Sequence, residues 1–263
     1  MNLEALQFEL RDNIAWIAFN RPASYNAMNR KTMTELAEVA NFCATEPSVR
    51  AAVLTGAGEK AFCAGGDVTA FHSSLDRIAH GVYEGTMHLH AAASRFAWMR
   101  APLIAAVNGV AAGAGLSAVC FCDLAIAADT ATFTSAYTKI GFSPDGSSTW
   151  FLPRLIGRRR AMELYLTNRT LSAQEALDWG LINRVVPAAD LMSEVTKLAT
   201  QLAAGPTKTY GGVKKLLQMS SAENLESQME LETRTLGEMA ASDDAREGIT
   251  AFVEKRKPVF RGN

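Results

Sequence analysis

The stretch from Leu103 to Ala128 constrains this chain more than any other. It is the longest apolar run in the sequence, yet Asn108, the glycines around Gly113 and Gly115, and Asp123 interrupt it. A membrane-crossing helix needs ~20 consecutive apolar residues. The interruptions leave pieces of strand and helix length, so the run reads as buried secondary structure of a soluble core. Leu103 to Val107 predicts a strand, Gly113-Ala114-Gly115 opens an apolar helix, and Leu124 to Ala127 predicts the next strand. Strands alternating with helices predict an α/β fold with parallel pairing.

The rest of the chain extends that pattern. Leu6-x-Phe8-x-Leu10 and Ile14-x-Trp16-x-Ala18 alternate around Arg11-Asp12-Asn13, which predicts a pair of strands joined by a polar turn. Thr32-x-x-Glu35 has the form of a capping box ahead of a helix through Leu36, Ala40 and Cys43. Ala51 to Thr55 reads as a buried strand, Phe62 to Asp67 as a glycine-containing loop, and about His80 to Arg100 as a helix that Pro102 stops. Helices are predicted at about 158–167 and 172–179. After Gly205-Pro206 no clear strand remains, and 223–241 has helical spacing through Leu225, Met229, Leu236 and Met239. The expected division is a core of residues 1–204 and a helical region, 205–263, packed on the core or on a neighbouring subunit.

Composition excludes several functions. A chain of 263 residues with 48% hydrophobic content buries a core without disulfides or metal. A net charge of −1 gives no excess of cations for sequence-neutral nucleic-acid binding, so an anionic ligand must be met by a local patch. The charged start MNLEALQFELRDN carries no apolar signal region, and no membrane association is expected. The four cysteines show no paired metal spacing. Cys120-x-Cys122 reads as two packed side chains on one face of a strand, and a reduced, cytoplasmic location is expected.

Two small-residue loops could carry chemistry: Ala64-Gly65-Gly66-Asp67 and Gly109 to Gly115. Unpaired N–H groups at a helix start attract an anionic oxygen, and small residues let it approach. Facing each other, the two would form an oxyanion hole. The same glycines serve equally well as tight turns for helix packing. Gly113-x-Gly115-x-x-Ala118 approximates a dinucleotide fingerprint, but five residues separate it from its strand, and Asp123 and Asp129 come too early for the ribose acid. Asp145 stands in Gly141-Phe142-Ser143-Pro144-Asp145-Gly146-Ser147-Ser148, with no other charge between Lys139 and Arg154. It reads either as an ordinary turn aspartate or as a general base, which desolvation would favour. His88 and His90 point about 200° apart on a helix and cannot share a metal. Phe71, Trp98, Phe142 and Trp150 read either as a pocket lining or as core, and the core is the preferred reading.

Taken together, Asn20-Arg21-Pro22 with Asn26-Ala27, Phe62 to Asp67, Pro102 to Gly109 running into Gly113-Ala114-Gly115, Pro153 to Gly157, Ala173 to Ile182 and Glu247 to Arg256 resemble the crotonase, or enoyl-CoA hydratase/isomerase, superfamily over nearly the whole chain. The resemblance implies a spiral of ββα turns with a helical C-terminal region, assembled as homotrimers or homohexamers. It implies an acyl-coenzyme A thioester as substrate, with no separate cofactor and no metal. Gly66 and Ala114 would supply the two oxyanion-hole N–H groups. Coenzyme A would lie along Ala23, Ser24 and Tyr25 and the loop of Ala64, Gly65, Asp67 and Val68. Phe252 and Lys255 of a neighbouring subunit would hold its nucleotide end.

Departures from the family pattern bear on the reaction. The positions of the two hydratase glutamates hold Ser117 and Tyr137, so hydration by that route is disfavoured. Phe142 to Gly146 resembles the branch of 1,2-epoxyphenylacetyl-CoA isomerase and its enoyl-CoA isomerase relatives, which implies Asp145 as the single acid/base. The rival is the 4-chlorobenzoyl-CoA dehalogenase branch, to which His90 and Leu166 to Leu171 are similar. There, however, Tyr137 replaces a tryptophan and Gly66 a phenylalanine. His90 and Tyr137 are accessory candidates. A non-catalytic acyl-CoA binder is the third reading.

Overall fold

A computed structural model describes residues 1–263. The opening strands β1 (Leu6–Arg11) and β2 (Ile14–Phe19) pair antiparallel. Asp12 and Asn13 both take positive φ, 54° and 61°, the twist that a two-residue hairpin turn requires and that Asn and Asp tolerate. The helix α1 (Arg30–Thr45) follows, but without the predicted capping box. Asn29 is its N-cap, accepting the Thr32 N–H at 3.0 Å. Glu35 is buried, and its carboxylate accepts the N–H groups of Glu4, Ala5 and Leu6 at 2.9–3.0 Å. Three converging donors satisfy a buried carboxylate better than one helix end does, so tertiary structure overrides the local motif.

The chain continues through β3 (Ala51–Gly56), β4 (Ala61–Cys63), α2 (Val68–His72), α3 (Ile78–Trp98), β5 (Leu103–Val107), β6 (Val110–Ala112), α4 (Ala114–Phe121), β7 (Leu124–Ala128) and β8 (Thr132–Thr134). Beyond them lie α5 (Ser148–Ile156), α6 (Arg158–Thr167), β9 (Thr170–Ser172), α7 (Ala173–Trp179), β10 (Arg184–Val186) and α8 (Leu191–Ala203). Three helices end the chain, α9 (Thr207–Met219), α10 (Leu225–Ala240) and α11 (Asp243–Val253).

The strands form two sheets, ordered β1-β2-β3-β5-β7-β10 and β4-β6-β8-β9. Successive pairs β3/β4, β5/β6 and β7/β8 each send one strand to the large sheet and a short one to the small sheet. The steps β3 to β5 to β7 and β4 to β6 to β8 are parallel. This is a spiral of ββα turns. Its central strands are apolar throughout because both faces are covered. Ala52, Leu54, Leu103, Ala105, Ala125 and Ala127 join the main core, while Val53, Ile104, Ala106 and Ile126 face Leu191, Val195 and Ala199 of α8.

Cys120 and Cys122 do not lie on a strand. Cys120 is in α4 and Cys122 caps its end, because the helix begun at Ala114 is still running. Burial pushes the thiols of Cys43, Cys63 and Cys120 up to about 12 and that of Cys122 well above the ordinary value, which keeps all four protonated at neutral pH.

Asp123, which interrupts the apolar run, has a tertiary role. It accepts the Leu103 N–H at 2.7 Å and pairs with Lys214 of α9 at 2.7 Å. Lys214 also donates to the carbonyls of Phe96 and Ala101, tying α9 to the end of α3. At the chain's end Glu247 of α11 receives two bonds from Arg256, at 2.6 and 2.9 Å, and the Val259 N–H at 2.8 Å. The Arg256 bonds, helped by the Val259 N–H, hold the Glu247 carboxyl down to about 2, from an ordinary 4.5. A folded-state value below the unfolded one stabilises above pH 4.5 and fades as pH falls towards 2. The Tm gap between the parent and Glu247→Gln should therefore be widest at neutral pH and shrink over that window. An undiminished gap at its acid end would refute the linkage.

Candidate active site

The small sheet positions the site. The chain leaves β4 into the loop of Gly65 and Gly66, leaves β6 into Gly113 and Ala114, and leaves β8 towards Tyr137 and Asp145. Three neighbouring parallel strands thus deliver three loops to one end. The first two loops are in direct contact: a Cβ on Gly65 would lie 2.8 Å from the Ala112 carbonyl and 3.3 Å from the Ala114 nitrogen. A Cβ on Gly115 would lie 2.0 Å from the Cys63 carbonyl, so only glycine permits α4 to start there. The two sequence readings of these glycines, tight packing and a donor pair, are compatible.

Gly66 and Ala114 both line a cavity of about 730 Å³ together with Ala64, Val68, Tyr137 and Asp145. Ala114 is the first residue of α4, where a helix leaves N–H groups unpaired. Neither its N–H nor that of Gly66 makes a backbone hydrogen bond. Two free N–H groups, one carrying the positive end of a helix dipole, therefore border the same space.

Asp145 is the one carboxylate lining this cavity, and Lys139 is the one cation. The Tyr137 hydroxyl donates to Asp145 Oδ1 at 2.6 Å and lies 2.9 Å from Ser117 Oγ, while Ser117 Oγ donates to the Asp145 carbonyl at 2.9 Å. Burial, reinforced by the neighbouring carboxylate, pushes the Tyr137 phenol well above its ordinary value, so it remains a donor. The Tyr137 bond takes Oδ1, and no hydrogen bond engages Oδ2. The sequence marks Ser117 as the replacement for a glutamate and Tyr137 as both such a replacement and an accessory candidate. Their joint hold on Asp145 spans 28 residues and has no local signal.

His90 stands apart from these groups. It lies on α3, lines a separate cleft of about 400 Å³ with Trp98, Trp150 and Gln218, and accepts the Gly146 N–H at 3.2 Å. The four aromatics assigned to the core are not in it. Phe71 and Phe142 line the main cavity with ring centroids 5.6 Å apart, and Trp98 and Trp150 line the His90 cleft. Apolar character alone does not separate a cavity wall from a core.

Ala23 and Ser24 sit on a short 3-10 turn, Pro22–Ser24, and Tyr25 borders a further cavity of about 510 Å³ with Lys60. The Ala64 N–H donates to the Tyr25 carbonyl at 3.0 Å, which joins this cavity's rim to the main one. Asp67 caps α2 through the Ala70 N–H and pairs with Arg21 at 2.8 Å. Burial works against its charge, but Arg21 and the Ala70 N–H outweigh burial and hold its carboxyl below the usual range. Phe252 is exposed at the end of α11, with Lys255 beyond it, and neither lines the cavities described.

The model of the family described as enoyl-CoA hydratase/isomerase matches residues 9–263. The chain belongs to the enoyl-CoA hydratase/isomerase family. Its members with similar sequences differ in activity. A 4-chlorobenzoyl coenzyme A dehalogenase from an Arthrobacter species is 41% identical, the match covering 88% of this chain and 84% of the relative. The 1,2-epoxyphenylacetyl-CoA isomerase of Escherichia coli is 35% identical over 99% of each chain. The crystal structure of an enoyl-CoA hydratase from Polaromonas sp. JS666 superposes with a TM-score of 0.93, at 31% identity, over 98% of this chain and all of that one. The family thus includes relatives named for three reactions.

Proposed function

We propose that this protein is an enoyl-CoA isomerase that shifts a double bond through an enolate, with Asp145 as its single acid/base. The observation that carries this reading is the lone carboxylate beside two free N–H groups in one cavity. The thioester oxygen accepts from Gly66 and Ala114 as charge develops on it. Asp145 Oδ2 removes a proton from C2 of a 3-enoyl thioester, the electron pair delocalises to a dienolate, and the same carboxyl returns the proton at C4. The product is the 2-enoyl thioester, and atoms balance without water or cofactor. Hydration would require a second group to activate water, and Ser117 and Tyr137 are instead engaged with Asp145.

In this reading coenzyme A lies along Ala23 to Tyr25 and the Ala64 to Val68 loop. The exposed Leu217, Leu236, Ile249 and Phe252 on the C-terminal helices suit assembly into a trimer or hexamer, with residues 205–263 as the contact region. No helix is long and apolar enough to cross a membrane.

Dehalogenation is the second reading, favoured by the Arthrobacter relative and by His90 beside the Asp145 turn. A screen of 3-enoyl-, 2-enoyl- and 4-chlorobenzoyl-CoA, followed by chromatography and mass spectrometry, separates the two. Expected is conversion of 3-enoyl- to 2-enoyl-CoA at unchanged mass with no chloride released. Chloride release, or added water without isomerisation, would overturn the proposal.

A further inference from the structure

The turn that presents Asp145 closes on itself through one backbone bond, from the Ser148 N–H to the Asp145 carbonyl at 3.2 Å, and leans on side chains for the rest. Gly146 and Ser147 both take positive φ, 60° and 65°, which for Ser147 is a sparsely populated conformation. A Cβ on Gly146 would lie 2.8 Å from Ser117 Cβ, so the turn is pressed against α4 and admits only glycine. On one side the Asp145 carbonyl accepts from Ser117 Oγ at 2.9 Å and Ser148 Oγ at 3.0 Å. On the other side the buried Gly146 N–H has one partner, His90 Nε2.

From this geometry we propose that His90 is a positioning residue: as a neutral imidazole it accepts the Gly146 N–H and so holds Asp145 over the substrate carbons. The role rests on Asp145 being the working base. Accepting at Nε2 places the ring proton on Nδ1. Protonation puts a hydrogen on both nitrogens, so that an Nε2–H then faces the Gly146 N–H. Two donors repel, the turn gives way, and the carboxylate leaves its place. The imidazole is exposed on the His90 cleft, so protons reach it from solvent without passing through the acyl cavity.

No other titratable side chain lines that cleft. Of the charged and titratable groups on the elements packed around it, the turn contributes Asp145, and Tyr137 donates to that carboxylate. On α5, Arg154 is held over the Trp150 ring, 3.9 Å from its centroid. On α9, Lys214 is paired with Asp123, and Lys208, Tyr210 and Lys215 do not line the cleft. On α3 itself, His80, Tyr83, Glu84, His88 and Arg95 are the remaining ones, and none lines the cleft.

The test compares pH profiles of kcat and KM for the parent, His90→Gln and His90→Leu on one 3-enoyl-CoA. Glutamine keeps a side-chain acceptor but does not titrate, and leucine removes the acceptor. Expected for His90→Gln is a kcat within about threefold of the parent at alkaline pH, with the imidazole step missing from the acid limb. Expected for His90→Leu is a kcat lowered about tenfold or more at alkaline pH, a gap that closes as acid breaks the latch in the parent, with KM little changed, as displacement of a catalytic group costs rate rather than binding. Loss of turnover in His90→Gln equal to that in His90→Leu would instead mark the ring as a reacting group and overturn the positioning role. An unaltered acid limb in His90→Gln would also overturn it.

A readout independent of turnover separates this inference from the assigned reaction. In protein labelled with 15N-glycine, the Gly146 amide proton should shift as the imidazole titrates in the parent and stay fixed in His90→Gln. An amide that ignores pH in the parent sinks the latch. A titrating amide in a parent that fails to isomerise any 3-enoyl-CoA supports the latch and sinks the isomerase reading.

Discussion

Asp145→Asn is expected to lower kcat for 3-enoyl-CoA isomerisation by roughly 10³-fold, within the usual range for loss of a general acid/base. Asparagine preserves size and shape, and its carbonyl oxygen accepts from Tyr137 as Oδ1 does in the parent. The carbonyl of residue 145 still receives Ser117 and Ser148, and the Gly146 N–H still reaches His90. The turn should therefore keep its form, and the substitution removes proton affinity alone. Thioester binding should be retained, because the groups placed on the thioester oxygen are backbone N–H groups. The measurements are kcat by single-substrate assay and Kd for a saturated acyl-CoA that cannot react. A variant that turns over at the parent rate would show that another group moves the proton.

Ala114→Pro should cost roughly 10²- to 10³-fold in kcat, the effect of deleting one oxyanion-hole donor. The site lends itself to this substitution because Ala114 is the first residue of α4, where proline is favoured and no intrahelical N–H bond is lost. Gly113, with φ 52° and ψ −124°, has the freedom to precede it. The substitution therefore deletes a proposed oxyanion donor while leaving the helix intact. Circular dichroism and Tm should stay near the parent values, while kcat falls and the affinity for a saturated acyl-CoA weakens less. Unchanged kcat in a folded Ala114→Pro protein would mean that the Ala114 N–H does not face the reacting oxygen.

How much of this was readable beforehand follows from which interactions are local. The strand Leu103–Val107 was legible because burial on both faces demands unbroken apolar residues, and α6 was legible from its own periodicity. The small sheet was not. Val110–Ala112, Thr132–Thr134 and Thr170–Ser172 are three residues each, too short for alternation to register. In α8 a signal was present but not taken up: Leu191, Val195, Ala199 and Ala203 recur every fourth residue and bury one face. Thr32 and Glu35 mimicked a capping box because that motif is defined by spacing, while Glu35 answers to donors some 30 residues away.

The site divides along the same line. Asp145 stood out because its loop is otherwise uncharged, and Gly66 and Ala114 because small residues flank predicted strands. The hold of Tyr137 and Ser117 on Asp145 depends on the fold bringing α4 beneath the turn, which no spacing encodes. Phe71 and Phe142 look the same in a sequence whether they pack inside or border a void, and only the coordinates place them on the cavity wall.

The order of the small sheet has a consequence for how such a scaffold changes trade. β4 and β6 lead to the two proposed donors, which are main-chain N–H groups, although Gly65 and Gly115 must remain glycine for their loops to meet. β8 leads to the segment of Tyr137 and Asp145, the side chains proposed to handle the proton. In the proposed reaction, oxyanion stabilisation and proton handling are therefore written on different rungs of one ladder. A few replacements on the last rung can exchange one reaction for another while the thioester continues to be polarised by the first two.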